Sequence, residues 1–268
     1  MILARRSAIA AALVSMVVVG ACEVPSTYGP QLAGDPAPSD SASQPILAAI
    51  PLHGCTLDMV LIEGRFCPVA QQVCVRWLEP REKNRFARCA RFEPVSTCKA
   101  ERISLRFCMD RLEAAGEDGL PLSNISWTDA AALCGRKGRR LCREREWLFA
   151  CEGEQMAPYP YGTQRDAALC NIDRSPLVRR GKLIDLRQPV TSHPKCVSSF
   201  GVQNMAGNVD EWVVLDEPWM SPRGEKHLSG LKGGWWGPMR GGCRPVTVGH
   251  DQHFHELQIG FRCCADAP

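Results

Sequence analysis

No Cys-x-x-Cys pair occurs anywhere in this chain of 268 residues, although fifteen of its residues are cysteine. Zinc ribbons draw their thiolates from such closely spaced pairs, so that class of site is excluded. No internal repeat is visible. The one N-terminal apolar run, SAIAAALVSMVV, is too short to span a bilayer comfortably and has no stop-transfer flank, which disfavours a transmembrane helix. Net charge is also scarce: without Arg5 and Arg6 the 32 Lys and Arg become 30, against 29 Asp and Glu. Nothing resembles the basic stripe of a nucleic-acid binder, and no nucleic-acid partner is expected. Arg136-Lys137-Gly138-Arg139-Arg140 and Arg179-Arg180 read as solvated surface interspersed with Asp and Glu.

What is present starts with an export signal. Residues 1–21 pair two arginines with a short apolar core and small residues before a cut site. Val19-Gly20-Ala21-Cys22 looks like a bacterial lipobox, which would place lipid on Cys22; the alternative is an ordinary signal peptide with Cys22 a bystander. Residues 22–50 are rich in Pro, Ser, Ala and Gly and read as a tether. Residues 51–268 are long enough for one domain with its own core. The expectation is an exported monomer, lipid-anchored to a bacterial membrane and facing the periplasm or the cell surface. Fourteen cysteines follow Cys22, and an even number in an exported chain predicts disulfides, up to seven.

Long periodic runs are few. Ser126 followed by Asp129 is a capping signal, and Trp127, Ala130, Ala131 and Cys134 fall on one helical face, ending at Gly135 or Gly138. A second helix is expected over 143–151, with Trp147, Ala150 and Cys151 on one face and Gly153 as terminator. Between them the chain is punctuated by Gly and Pro, which suggests a compact, loop-rich α+β domain stabilised by cross-links. Trp127, Trp147 and Trp212 are expected in the core.

ISWTDAAALC, GRRLCREREWLFAC, YPYG, CNI, FGVQNMAGNVDEW, LKGGWW and GFRCC, in this order, resemble the formylglycine-generating enzyme family, also called sulfatase-modifying factor domains. DMVLIEGRFC resembles the family's opening; the likeness covers roughly 55–265 and is weakest over 68–105. It implies a C-type-lectin-like α+β fold, low in regular secondary structure and disulfide-rich. It also implies calcium, held by the side chains of Asn204 and Glu211 and the carbonyls of Gly207 and Val209 on an oxygen-rich loop. The alternative there is an Asx/Gly turn without metal. A second family calcium site would fall on Asn171, the Ile172 carbonyl and Asp185. Asp210 replaces an aromatic residue common in the family, either adding charge near the ion or facing water.

Family members that oxidise a substrate cysteine to formylglycine bind Cu(I) through two cysteines just after their Gly-Gly-Ser. The matching stretch here, WWGPMRGGC, holds one, Cys243, which lies seventeen residues before Gly260. The resemblance assigns that position to a disulfide with Cys151, and pairs Cys263 with Cys134. Copper is therefore not expected, and Cys243 reads as structural rather than as a reactive thiol. Trp235, Trp236, Pro238 and Arg240 lie where the family's substrate groove runs, which points to recognition of a peptide or protein ligand. His250, His253 and His255 in HDQHFHE form a second candidate, a transition-metal cluster, whose alternative is a polar surface turn. His53, His193 and His227 are isolated. Two function classes follow: an anchored binding or accessory module without cysteine oxidase activity, or a metal-dependent oxidoreductase of the same family.

Overall fold

The computed structural model describes residues 54–84, 87–238 and 242–268; the stretches expected to be export signal and tether, with Cys22, His53 and Arg240, lie outside them. Its strands are β1 (Met59–Phe66), β2 (Ala70–Gln71), β3 (Cys74–Trp77), β4 (Cys89–Phe92), β5 (Thr97–Cys98), β6 (Ile103–Asp110), β7 (Arg140–Leu141), β8 (Val178–Arg179), β9 (Lys182–Leu183), β10 (Asp210–Met220), β11 (Lys226–Lys232), β12 (Ile259–Gly260) and β13 (Cys263–Asp266). Helices α1 (Trp127–Arg136) and α2 (Glu144–Glu152) flank β7 in sequence.

Both helices start where local chemistry satisfies their free N–H groups. Ser126 Oγ accepts from Asp129 N at 3.1 Å, and Glu146 Oε2 accepts from Arg143 N at 2.8 Å. The apolar face of α1 buries Ala130 and Cys134 against Trp212, Leu231 and Phe261. All but two of the residues of α2 are buried, so it lies in the interior: Trp147, Phe149 and Ala150 pack on Ile62, Phe107, Met109 and Val213. Each such fully buried Ile, Phe or Met side chain contributes about 1.5–3 kcal/mol.

Two sheets carry the core. One is antiparallel, in the order β1-β6-β13-β7, with Met59 opposite Asp110 and Cys264 opposite Met109. The other runs β11-β10-β12, with β10 antiparallel to β11 and parallel to β12. Three two-stranded ribbons, β2–β5, β3–β4 and β8–β9, lie outside them.

Seven disulfides join all fourteen described cysteines: Cys55–Cys108, Cys67–Cys98, Cys74–Cys89, Cys134–Cys263, Cys142–Cys264, Cys151–Cys243 and Cys170–Cys196. The adjacent Cys263 and Cys264 point to opposite faces of β13, as strand geometry requires, and so bond to different partners. Arg244 adds a polar tie: it forks onto the buried Glu152 at 2.6 and 2.8 Å and donates to the carbonyl of Cys67. Among the described residues no helix is long and apolar enough to cross a membrane.

Candidate functional site

The segment after β11 turns on two glycines. Gly233 has φ +90° and sits so near the Trp147 indole that a Cβ would lie 3.1 Å from its ring. Asp210 Oδ1 accepts from Gly234 N at 2.8 Å, which fixes the turn from the neighbouring strand β10. Trp236 and Gly237 then pair with the 170s loop, their carbonyls accepting from Arg174 N and Asp173 N. Cys243 re-enters the core through its disulfide to Cys151 and its N–H to the Pro158 carbonyl at 2.7 Å.

Between this segment and the 245–258 loop lies a hollow of about 510 Å³, walled by Trp235, Pro238, Asp210, Phe254, Glu256 and Gln258. Trp235 is half-buried and Pro238 exposed. Trp236 corrects the expectation: it is fully buried and meets Trp235 edge to face at 5.3 Å, so only one of the two indoles faces the hollow. Burying an indole beside a backbone-paired loop gains more apolar area than exposing it in the groove. The side chain of Arg240 is among those not described.

The histidines are not brought together, a second correction. His250 stacks on Phe254 at 4.0 Å, and burial holds its imidazole below the usual range, which favours the neutral ring. His255 Nδ1 lies 3.1 Å from Asn124 Oδ1, and His253 Nε2 meets Gln252 at 3.3 Å. Asp251 accepts from the N–H groups of His253 and Phe254 and the Gln252 carbonyl from Thr128, so the segment is an Asx-type turn that points its rings different ways. Among the described residues no group of three or more His, Cys, Asp or Glu is placed to hold a metal ion.

A buried polar layer is built on residues 204–211. Glu211 accepts from Arg262 at 2.6 and 2.7 Å and from Trp147 Nε1 at 2.7 Å. Asn204 and Asn208 each donate to Glu113 Oε2, at 2.9 and 3.0 Å. Glu113 Oε1 is buried with no hydrogen-bond partner, and burial together with the charge of Glu211 pushes that carboxyl up to about 8. Sequence reasoning missed Glu113, because nothing local marks Arg111-Leu112-Glu113 as part of a loop a hundred residues away.

This layer fits a divalent cation. Its donors are hard oxygens, of which Glu113 Oε1 is orphaned, while both Glu211 oxygens already accept from Arg262 and Trp147 Nε1. Asn204 and Glu211, with the Gly207 and Val209 carbonyls, would hold the ion, Glu211 being shared between it and Arg262. Gly207 is required for the loop's path: its φ is +81° and a Cβ would sit 2.3 Å from the Asn171 carbonyl oxygen. Gly207→Ala is expected to lower stability by more than about 2 kcal/mol in urea unfolding. A loss near zero would show that the loop shifts freely.

The second set does not present free oxygens. Asp185 is exposed and paired with Arg187 at 2.7 Å, while Asn171 Oδ1 accepts from Arg174 at 2.8 Å and its amide donates to Leu186 and Asn208. Arginines occupy the positions where that ion's ligands would be expected to point.

The model of the sulfatase-modifying factor enzyme 1-like domain matches residues 68–267. The mouse protein named inactive C-alpha-formylglycine-generating enzyme 2 is 30% identical over 158 residues, covering 55% of this chain and 50% of that one. Mouse formylglycine-generating enzyme is 32% identical over 168 residues, covering 54% and 44%. Hercynine oxygenase of Mycolicibacterium smegmatis is 29% identical over 148 residues, covering 47% and 32%. The chain thus spans half or less of the length of these relatives. The crystal structure of CarF superposes with a TM-score of 0.55 at 19% identity, over 78% of this chain and 98% of that one, a likeness of fold. Seven disulfides and a family model matched over residues 68–267 lead to one assignment: the chain belongs to the sulfatase-modifying factor enzyme 1-like, or formylglycine-generating enzyme-like, family.

Proposed function

We propose that this protein is an exported binding or accessory module of its family, anchored through lipid at Cys22, that does not oxidise cysteine to formylglycine. The observation that carries the reading is the state of Cys243. It is bonded to Cys151, and every other described cysteine is bonded too, so no pair of thiolates is left for Cu(I). What remains at the matching place is a hollow with one indole, Trp235, beside Pro238, Asp210 and Glu256. An aromatic wall with convergent acceptors suits recognition of a peptide or protein segment.

The test is direct. Purified protein incubated with Cu(I), oxygen and a sulfatase-type cysteine peptide is expected to leave the peptide mass unchanged. Conversion of cysteine to formylglycine would overturn the reading and favour the oxidoreductase.

Calcium at the 204–211 loop belongs to the same proposal, in a structural role. Calcium added to chelator-stripped protein is expected to raise Tm by on the order of 5–10 °C at a hundredfold excess over Kd, with magnesium much less effective. An unchanged Tm would remove the ion from the proposal.

A further inference from the structure

We propose that Glu113 is a ligand of the divalent cation at the 204–211 loop, binding it through Oε1. The inference rests on the calcium reading above and adds a ligand that the loop motif does not contain.

Glu113 follows the end of β6, and its neighbours hold it in place. Ala114 N donates to the Phe261 carbonyl at 2.9 Å, and Gln203 N to the Arg111 carbonyl, also at 2.9 Å. These bonds tie the 111–114 segment to the start of the loop and to the residue before Arg262. The side chain of Glu113 is buried, as are those of Asn204 and Asn208. Both asparagines have positive φ, +57° and +62°, a region that asparagine enters more readily than most residues. Both turn their amides onto Glu113 Oε2, which is thereby saturated. The other oxygen, Oε1, is buried with no hydrogen-bond partner.

No side-chain donor of the layer is left to serve it. Asn204 gives its second amide hydrogen to the Val190 carbonyl at 2.7 Å, and Asn208 gives its own to the Gln188 carbonyl at 3.1 Å. Asn171 divides its amide between the Leu186 carbonyl and Asn208 Oδ1. Arg262 spends Nε on Glu211, Nη1 on the Asp110 and Arg111 carbonyls, and Nη2 on Glu211 and the Gln203 carbonyl. Trp147 Nε1 is taken by Glu211. None of these groups can reach Oε1 without giving up a bond it already makes.

A buried carboxylate oxygen that faces no donor is met in folded proteins by a bound ion or an ordered water. Glu211 has its ion pair with Arg262, whereas Glu113 takes part in none among the described residues. A carboxylate buried without an ion pair keeps its desolvation penalty. A calcium ion offsets that penalty with charge, a water molecule with a single hydrogen bond. The variant Glu113→Gln mimics the neutral carboxyl and keeps an acceptor for the two asparagines. It therefore separates an ion on Oε1 from a proton or a water there.

Calorimetric titration of the chelator-stripped full chain with calcium chloride tests this. Terbium emission sensitised by Trp147, which bonds Glu211, gives a second readout. One saturable site is expected in the wild type. Glu113→Gln should raise Kd for calcium at least about tenfold and leave the calcium-free Tm unchanged or higher. Asp185→Asn, which removes a carboxylate already paired with Arg187, should bind as the wild type does. Equal affinity of wild type and Glu113→Gln would overturn the proposal and leave the calcium reading standing. Absence of saturable binding by the wild type would overturn both. An equal loss in Asp185→Asn would trace the effect to net charge and also overturn it. So would a Glu113→Gln protein that folds only with calcium, because the ion would then be held without this carboxylate. Should that variant not fold at all, Glu113→Asp decides: its shorter side chain withdraws the oxygen, and unchanged affinity there would overturn the proposal.

Discussion

Arg262→Met is expected to destabilise the protein by about 3–5 kcal/mol, a larger effect than any other single substitution considered. Arg262 is fully buried and its partner Glu211 is 1% exposed. The guanidinium holds both Glu211 oxygens and also donates to the carbonyls of Asp110, Arg111 and Gln203. Methionine matches much of the volume but leaves the Glu211 carboxylate in the core beside Glu113 without the guanidinium that held both its oxygens. Buried ion pairs are costly to break from one side because the survivor keeps its desolvation penalty. Removing both charges, Arg262→Met with Glu211→Leu, is expected to restore part of the loss, though not the guanidinium's bonds to the carbonyls of Asp110, Arg111 and Gln203. Guanidinium unfolding of the three proteins settles it: a single-variant cost below about 1 kcal/mol, or a double variant worse than the single, would refute the account.

Loss of the Cys151–Cys243 bond comes second in kind and similar in size. Its cysteines are separated by 92 residues, for which loop-closure entropy gives about 4–5 kcal/mol. Cys151→Ala/Cys243→Ala should therefore lower Tm by on the order of 10 °C or more in calorimetry. The bond also anchors the segment that carries Trp235, so ligand recognition at that hollow should weaken with it. Cys74–Cys89 supplies the comparison, since it closes only 15 residues within the outlying β3–β4 ribbon. Its removal should cost less and leave the core transition intact. Equal costs for the two would mean that the core does not need the long cross-link.

Helix α1 shows how much could be read directly. Ser126, Asp129 and the Trp127-Ala130-Ala131-Cys134 spacing are local signals, and the helix runs Trp127–Arg136 with Ser126 at its cap. Strand order is different in kind. Nothing near Cys263 indicates that β13 lies between β6 and β7, because that pairing depends on residues more than a hundred positions away. The cysteines of the first ribbons allowed fifteen pairings among Cys55, Cys67, Cys74, Cys89, Cys98 and Cys108. Strand register does not choose among them either: Cys74 stands opposite Phe92 and Cys89 opposite Trp77, and only the irregularities of the β3–β4 ribbon bring their Cα atoms to 5.8 Å.

At the candidate site the same division holds. Gly207 could be found from the loop motif, yet the inward turn of Trp236 beside the outward Trp235 could not, since an irregular segment has no period to assign faces. Arg179 and Arg180 were legible as surface. That Asp173 is shared by Arg88 and Arg165 is a property of ion pairs across the fold, which local charge counting averages away.

The position of β13 has a consequence for how the molecule is made. β1 begins at Met59 and the strand that completes its sheet runs from Cys263, so the central sheet joins the two far ends of the domain. Such topology is slow to nucleate, because a long loop must close before its contacts repay the entropy. During synthesis the early cysteines would emerge well before Cys263 and Cys264, free to pair with one another in the wrong combinations. In an oxidising compartment the chain would thus depend on shuffling of thiols, and a host lacking a disulfide isomerase should yield mispaired protein.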